Sequence, residues 1–115
     1  QNDIKVKGSN ILSLGITFKE NCPDVRNTKA VDVINNLRSY GAIITIYDPW
    51  ASPNEVAHEY GLETTRDIPK FKFDAIVLTV AHKEFLNLDL KSMLEPNGVI
   101  YDVKGILQDM ADSRL

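Results

Sequence analysis

The run Phe73-Asp-Ala-Ile-Val-Leu-Thr-Val80 is apolar on both faces of a strand. A strand with one wet face alternates apolar and polar residues, so a run without alternation belongs to a sheet covered on both sides. Ile11-Leu-Ser-Leu14, Ala42-Ile-Ile-Thr-Ile-Tyr47 and Val99-Ile-Tyr101 are further short apolar runs bounded by turn residues. Between the first two, Ala30, Val33, Ile34, Leu37 and Tyr40 recur at helical spacing, with Asn27 or Thr28 as cap and Gly41 as stop. Ser52-Pro-Asn-Glu55 is a capping box with proline at the first helical position, and its helix stops at Gly61. Leu62-Glu-Thr64 predicts a brief extra strand, Asp89 caps a short helix through Leu94, and Pro96-Asn-Gly98 turns into the last strand. This β-α-β-α-β-α-β order specifies one domain over 1–115, a three-layer α/β sandwich around a parallel sheet of about five strands.

Right-handed crossovers place the strand-end loops 15–26, 48–52, 81–84 and 102–105 on one edge, where doubly wound sheets bind ligands. Gly-x-Gly-x-x-Gly is missing there: Gly15 is followed by bulky Ile16 and Phe18. A dinucleotide is therefore not held in the usual first-loop manner. The loop does carry two cations, Lys19 and Arg26, before a helix N-terminus whose free N–H groups would add to an anion site. The plainer reading is two solvated loop cations, with Arg26 paired to Asp24. Asp48 suits turn initiation before Pro49 better than ribose binding, since the glycine loop is absent. Lys104 reads as a third cation for the same anion, with Gly105 letting the backbone turn beside it. His82 lies on the ligand edge within reach of a phosphate, whereas His58 sits exposed on a helix. Cys22 meets the nucleophile test only in the positive field of Lys19 and Arg26.

A net charge of −3 excludes a general nucleic-acid binder. A single cysteine allows no internal disulfide and fits the cytoplasm. No apolar run has membrane-spanning length, and no metal-ligand spacing is present. The polar start at Gln1 and polar tail 108–115 suggest a piece of a longer protein.

Taken in order, these motifs resemble the C-terminal domain of the UDP-glucose/GDP-mannose dehydrogenase family. That family's loop runs roughly Gly-Leu-x-Phe-Lys-x-x-Thr-Asp-Asp-x-Arg. Here it reads Gly15-Ile16-Thr17-Phe18-Lys19-Glu20-Asn21-Cys22-Pro23-Asp24-Val25-Arg26. Tyr47-Asp48-Pro49, the strand through Val80 and Tyr101-Asp102-Val103-Lys104-Gly105 continue the register. Cys22-Pro23 departs from Thr-Asp, and Lys104 stands where glucose-specific members carry arginine. Both departures look most like the UDP-N-acetylhexosamine branch.

The resemblance implies a Rossmann-like fold and a share in NAD-dependent oxidation of a UDP-sugar at C6 to the uronic acid, for polysaccharide precursors. Phe18, Lys19 and Lys104 would contact the UDP-sugar, and Arg26 would reach NAD held mainly by an N-terminal domain. No catalytic residue lies in this chain, because the nucleophile's Gly-rich motif is absent and Cys22 does not match it. The partners implied are the N-terminal and central domains of a full-length, homodimeric enzyme, with this piece inactive alone. The alternative is a stand-alone nucleotide-binding regulatory module.

Overall fold

Four of the apolar runs become strands of one parallel sheet in the computed structural model, which describes residues 7–26 and 28–102. They are β1 (Asn10–Leu14), β2 (Ile43–Tyr47), β3 (Phe73–Leu78) and β4 (Leu94–Asp102), in the order β2-β1-β3-β4. Helices α1 (Ala30–Ser39) and α2 (Pro53–Tyr60) and two 3₁₀ turns, Lys83–Asn87 and Leu90–Met93, connect them. The fold is the expected Rossmann-like α/β arrangement. The extra strand is reduced to one parallel bridge between Tyr47 and Thr65, so the described residues carry four strands rather than five. Only the Thr65 N–H to Ile46 and the Asp48 N–H to Thr65 bonds form, and the polar run Thr64-Thr-Arg-Asp67 offers no apolar face to extend the pairing.

Alternate residues of the strands enter opposite cores. Leu12, Leu14, Ile76, Leu78 and Ile100 pack with Phe85, Leu90 and Met93 of the 3₁₀ turns. On the other face, Ile46 packs with Val31 and Ile34 of α1 and Val56 of α2, while Ile11, Ala75, Val77 and Val99 meet Val33 and Leu37. Each fully buried side chain of this kind contributes about 1.5–3 kcal/mol, so two dry faces are the main stabilising term. The third connection is 3₁₀ rather than α because extended Leu88 interrupts it, and Asp89 then accepts the Ser92 N–H.

Three local expectations change. Tyr40 is exposed: it is the non-helical C-cap of α1, so its side chain leaves the face, which Val31 occupies instead. The N-cap of α1 is Lys29, which makes no side-chain cap, rather than Asn27 or Thr28; Thr28 accepts the Ala30 N–H, and Asn27 lies outside the described residues. β4 starts early, at Leu94 opposite Phe73, and Pro96-Asn-Gly98 forms a bulge before Val99 pairs with Ala75.

Candidate functional site

The order β2-β1-β3 decides which side chains meet. It sets the ends of β2 and β3 on either side of the end of β1. Asp48 follows β2, Thr17 lies beyond β1 and His82 beyond β3, so three residues remote in sequence converge on the strand-end edge. Asp48 and His82 are both wholly buried, at 0% exposure.

Asp48 is the hub. Its Oδ1 accepts the N–H groups of Trp50 and Ala51 at 2.7 and 3.1 Å, the Asx turn expected before Pro49. Its Oδ2 accepts Ile16 N–H at 2.7 Å, Thr17 N–H at 3.3 Å and His82 Nε2 at 3.0 Å. Burial is the largest single influence on this carboxyl and opposes ionisation. The hydrogen-bonding and electrostatic interaction with His82, then the hydrogen bonds from Ile16 and Trp50, outweigh it and hold the pKa below the ordinary aspartate value.

The partners of His82 fix its tautomer. Asn21 N–H donates to Nδ1 at 2.8 Å, so Nδ1 carries no proton. The carboxylate of Asp48 only accepts, so the proton resides on Nε2, which also lies 3.1 Å from Thr17 Oγ1. Thr17 in turn donates to the Lys19 carbonyl at 3.0 Å. Trp50 stacks on the imidazole at 5.9 Å and Phe85 meets its edge at 5.3 Å. Trp50 Nε1–H donates to Glu84 at 2.8 Å; that bond is the main reason the Glu84 carboxyl is held below its ordinary pKa. His82 therefore does not reach out to a phosphate, contrary to the sequence expectation, because both ring nitrogens are spent inside the protein.

Phe18 and Lys19 remain outside this cluster, on the same edge. The Phe18 side chain is 54% exposed, and Lys19 is exposed beside it. The Phe18 N–H donates to the Asp24 carbonyl at 2.7 Å, closing the loop behind them. Asn21 has φ +55, and its Oδ1 accepts the Lys83 N–H at 2.8 Å.

Arg26 has other neighbours. Its Nε and Nη2 grip both oxygens of Asp24 at 3.1 and 3.2 Å, and it shares a surface hollow with Asn54, Glu55, His58 and Glu59. This is the Asp24 pairing that the sequence allowed. The Arg26 side chain is 75% exposed, so the pair is solvent-screened. Exposed His58 is as expected. Lys104 and Gly105 lie outside the described residues. Cys22 is a half-buried free thiol, and His82 has no ring nitrogen left to serve it as base.

Several of the loop's N–H groups are not available to an anion, although its sequence suggests that they are free. Those of Ile16, Thr17, Phe18, Asn21, Arg26 and Ala30 are already bonded within the protein. The ends of β1 and β3 also pack closely. A Cβ on Gly15 would lie 2.5 Å from Val80 Cβ, so Val80 sits directly against the Gly15 backbone. Thr79 Oγ1 donates there to the Gly15 carbonyl at 2.6 Å. Sequence reasoning missed Thr17, Asn21 and Trp50. Of these, only Trp50 carried a signal, as an aromatic directly after the strand-end Asp-Pro.

A parallel doubly wound sheet whose first strand-end loop lacks the glycine fingerprint and exposes Phe18 and Lys19 defines the class of α/β domain. The chain belongs to the UDP-glucose/GDP-mannose dehydrogenase family, matching its UDP binding domain over residues 12–109. It is 40% identical over 116 aligned positions to the UDP-N-acetyl-D-glucosamine 6-dehydrogenase of Pseudomonas aeruginosa, covering 97% of this chain and 28% of that protein. It is 35% identical over 106 positions to the UDP-glucose 6-dehydrogenase of Rhizobium meliloti (strain 1021), covering 88% of this chain and 24% of that protein. Among solved structures, the NDP-N-acetyl-D-galactosaminuronic acid dehydrogenase from Methanosarcina mazei Go1 shares the fold. Its TM-score is 0.72 at 24% identity, over 85% of this chain and 21% of that one. The chain thus spans about a quarter of the length of these curated relatives. Dehydrogenase relatives favour the enzyme-domain reading over a stand-alone regulatory module. No helix among the described residues is long and apolar enough to cross a membrane.

Proposed function

We propose that this chain is the UDP-sugar-binding part of an NAD-dependent nucleotide-sugar 6-dehydrogenase, acting on a UDP-N-acetylhexosamine or UDP-hexose. The overall reaction converts the sugar C6 alcohol and water to a carboxylate, with two NAD⁺ reduced to NADH and three protons released. The observation that carries the reading is the exposed Phe18-Lys19 turn on a buried Asp48–His82 framework. Lys19 offers a mobile ammonium to the diphosphate, and Phe18 offers an aromatic face to a ring of the ligand. Lys104 completes the charge as a point cation without the fork of an arginine. Arg26, held side-on by Asp24, turns toward NAD bound by the N-terminal domain of the full-length enzyme. That enzyme is a cytoplasmic homodimer supplying polysaccharide precursors, and this chain contributes no catalytic residue.

Calorimetric titration of UDP into this chain tests the binding half. A charge-assisted contact contributes about 1.5–3 kcal/mol, so Lys19→Ala weakens UDP about ten- to a hundredfold. Arg26→Ala leaves that affinity unchanged and lowers NADH formation only in the full-length enzyme. Equal losses of UDP affinity from both changes would return a single anion site shared by the two cations. Full-length enzyme given UDP-GlcNAc, UDP-GalNAc and UDP-glucose in turn identifies the sugar.

A further inference from the structure

We infer that His82 is a positioning residue that clamps the base of the Phe18-Lys19-Glu20 turn and so sets where its two ligand-facing side chains stand. The inference rests on the reading of Phe18 and Lys19 as UDP-sugar contacts. The residues flanking the turn are Thr17 and Asn21, and His82 bonds both: Nε2 lies 3.1 Å from Thr17 Oγ1, and Nδ1 accepts Asn21 N–H at 2.8 Å. One ring thus spans the neck of the turn. Its neighbour adds a second point, since Lys83 N–H donates to Asn21 Oδ1 at 2.8 Å. This pins both the backbone and the side chain of a residue at φ +55, the left-handed region that asparagine tolerates better than most non-glycine residues. The ring cannot turn away, because Trp50 covers its face, Phe85 meets its edge and Asp48 holds Nε2. No such burden falls on the turn itself, whose exposed side chains have no packing to fix them. Holding the backbone beneath them in place before the ligand arrives avoids part of the ordering cost on binding.

Two substitutions separate the halves of the clamp. His82→Gln places an amide near the position of Nε2 and keeps a donor for Asp48, but leaves Asn21 N–H without its acceptor. His82→Asn places a carbonyl near Nδ1 and keeps that acceptor. Amide exchange and UDP titration on the 115-residue chain are read together. His82→Gln is expected to speed exchange at Asn21 about tenfold or more while β3 amides stay protected, and to weaken UDP about three- to tenfold. His82→Asn is expected to restore slow exchange at Asn21 and part of the affinity. A purely structural histidine would lower β3 protection and Asn21 protection alike. Unchanged Asn21 exchange in His82→Gln, or a freed turn with undiminished UDP affinity, overturns the clamp.

If neither variant folds, ¹⁵N spectra of the wild-type imidazole decide. A proton on Nε2 with a coupling from Asn21 N–H across to Nδ1 supports the clamp, and a proton on Nδ1 overturns it. A wild-type chain that takes no UDP defeats the functional reading, while exchange at Asn21 still judges the clamp.

Discussion

Replacing Asp48 by asparagine changes one atom and sets donors against donors. The carboxylate accepts from five groups: the N–H of Ile16, Thr17, Trp50 and Ala51, and His82 Nε2. An asparagine can keep its oxygen toward Trp50 and Ala51, but its NH₂ then faces Ile16 and Thr17. Turning the amide over exchanges one pair of orphaned N–H groups for the other. His82 offers no escape: to accept from the new NH₂ it must move its proton to Nδ1, where Asn21 N–H already points. At least two buried donors go unpaired at about 1–3 kcal/mol each, so Asp48→Asn costs about 2–6 kcal/mol. For a domain of this size that lowers Tm by about 10–25 °C. Urea and thermal unfolding followed by circular dichroism measure it. The pH dependence adds a signature. Because the folded-state pKa of Asp48 lies below the ordinary 3.8, its contribution is fully present above that value. It is lost as pH falls through the lower, folded-state value. The gap between wild type and Asp48→Asn should be widest near neutrality and narrow in acid through that window. A variant within about 0.5 kcal/mol of wild type at neutral pH would refute the hub role of this carboxylate.

Two further changes probe the close packing between the ends of β1 and β3. Gly15→Ala puts a methyl into Val80 at a residue with φ +98, and should destabilise by about 2–5 kcal/mol in the same unfolding assays. Thr79→Val keeps the shape but removes the hydroxyl that donates to the Gly15 carbonyl and lies 3.3 Å from Ser13 Oγ; about 1–2 kcal/mol should go, with UDP affinity unchanged.

The sheet was legible because its signal is local. Phe73-Asp-Ala-Ile-Val-Leu-Thr-Val80 lacks alternation whatever its neighbours are, and β3 follows it until Thr79 and Val80 turn their N–H groups onto the Leu14 carbonyl. The caps of α2 were legible for the same reason: Ser52 accepts Glu55 N–H, and Gly61 ends the helix at φ +67. The site was legible only in its exposed parts. Phe18, Lys19 and Arg26 carry a motif, but the meeting of Asp48, His82 and Thr17 depends on the order β2-β1-β3, which no spacing in one chain specifies. His82 on the strand-end edge was therefore read as reaching outward, when its surroundings turn it inward.

That inward turn bears on how a sheet of this kind can recognise a diphosphate without glycines. A glycine-rich loop binds phosphate with its own N–H groups, which must be left unpaired until the ligand comes. Here the loop and the start of α1 spend the N–H groups of Ile16, Thr17, Asn21, Arg26 and Ala30 on Asp48, His82, Asp24 and Thr28. On the proposed reading, recognition falls largely to side chains, and side chains allow division of labour that backbone does not. Lys19 stands on the turn clamped by His82, whereas Arg26 stands beyond it, braced by Asp24 over the acids of α2. Two cations seven positions apart in one loop are thus held by separate anchors. Removing the His82 bond to Asn21 should disturb Lys19 and leave the Asp24–Arg26 pair where it is. A single flexible phosphate loop could not behave that way.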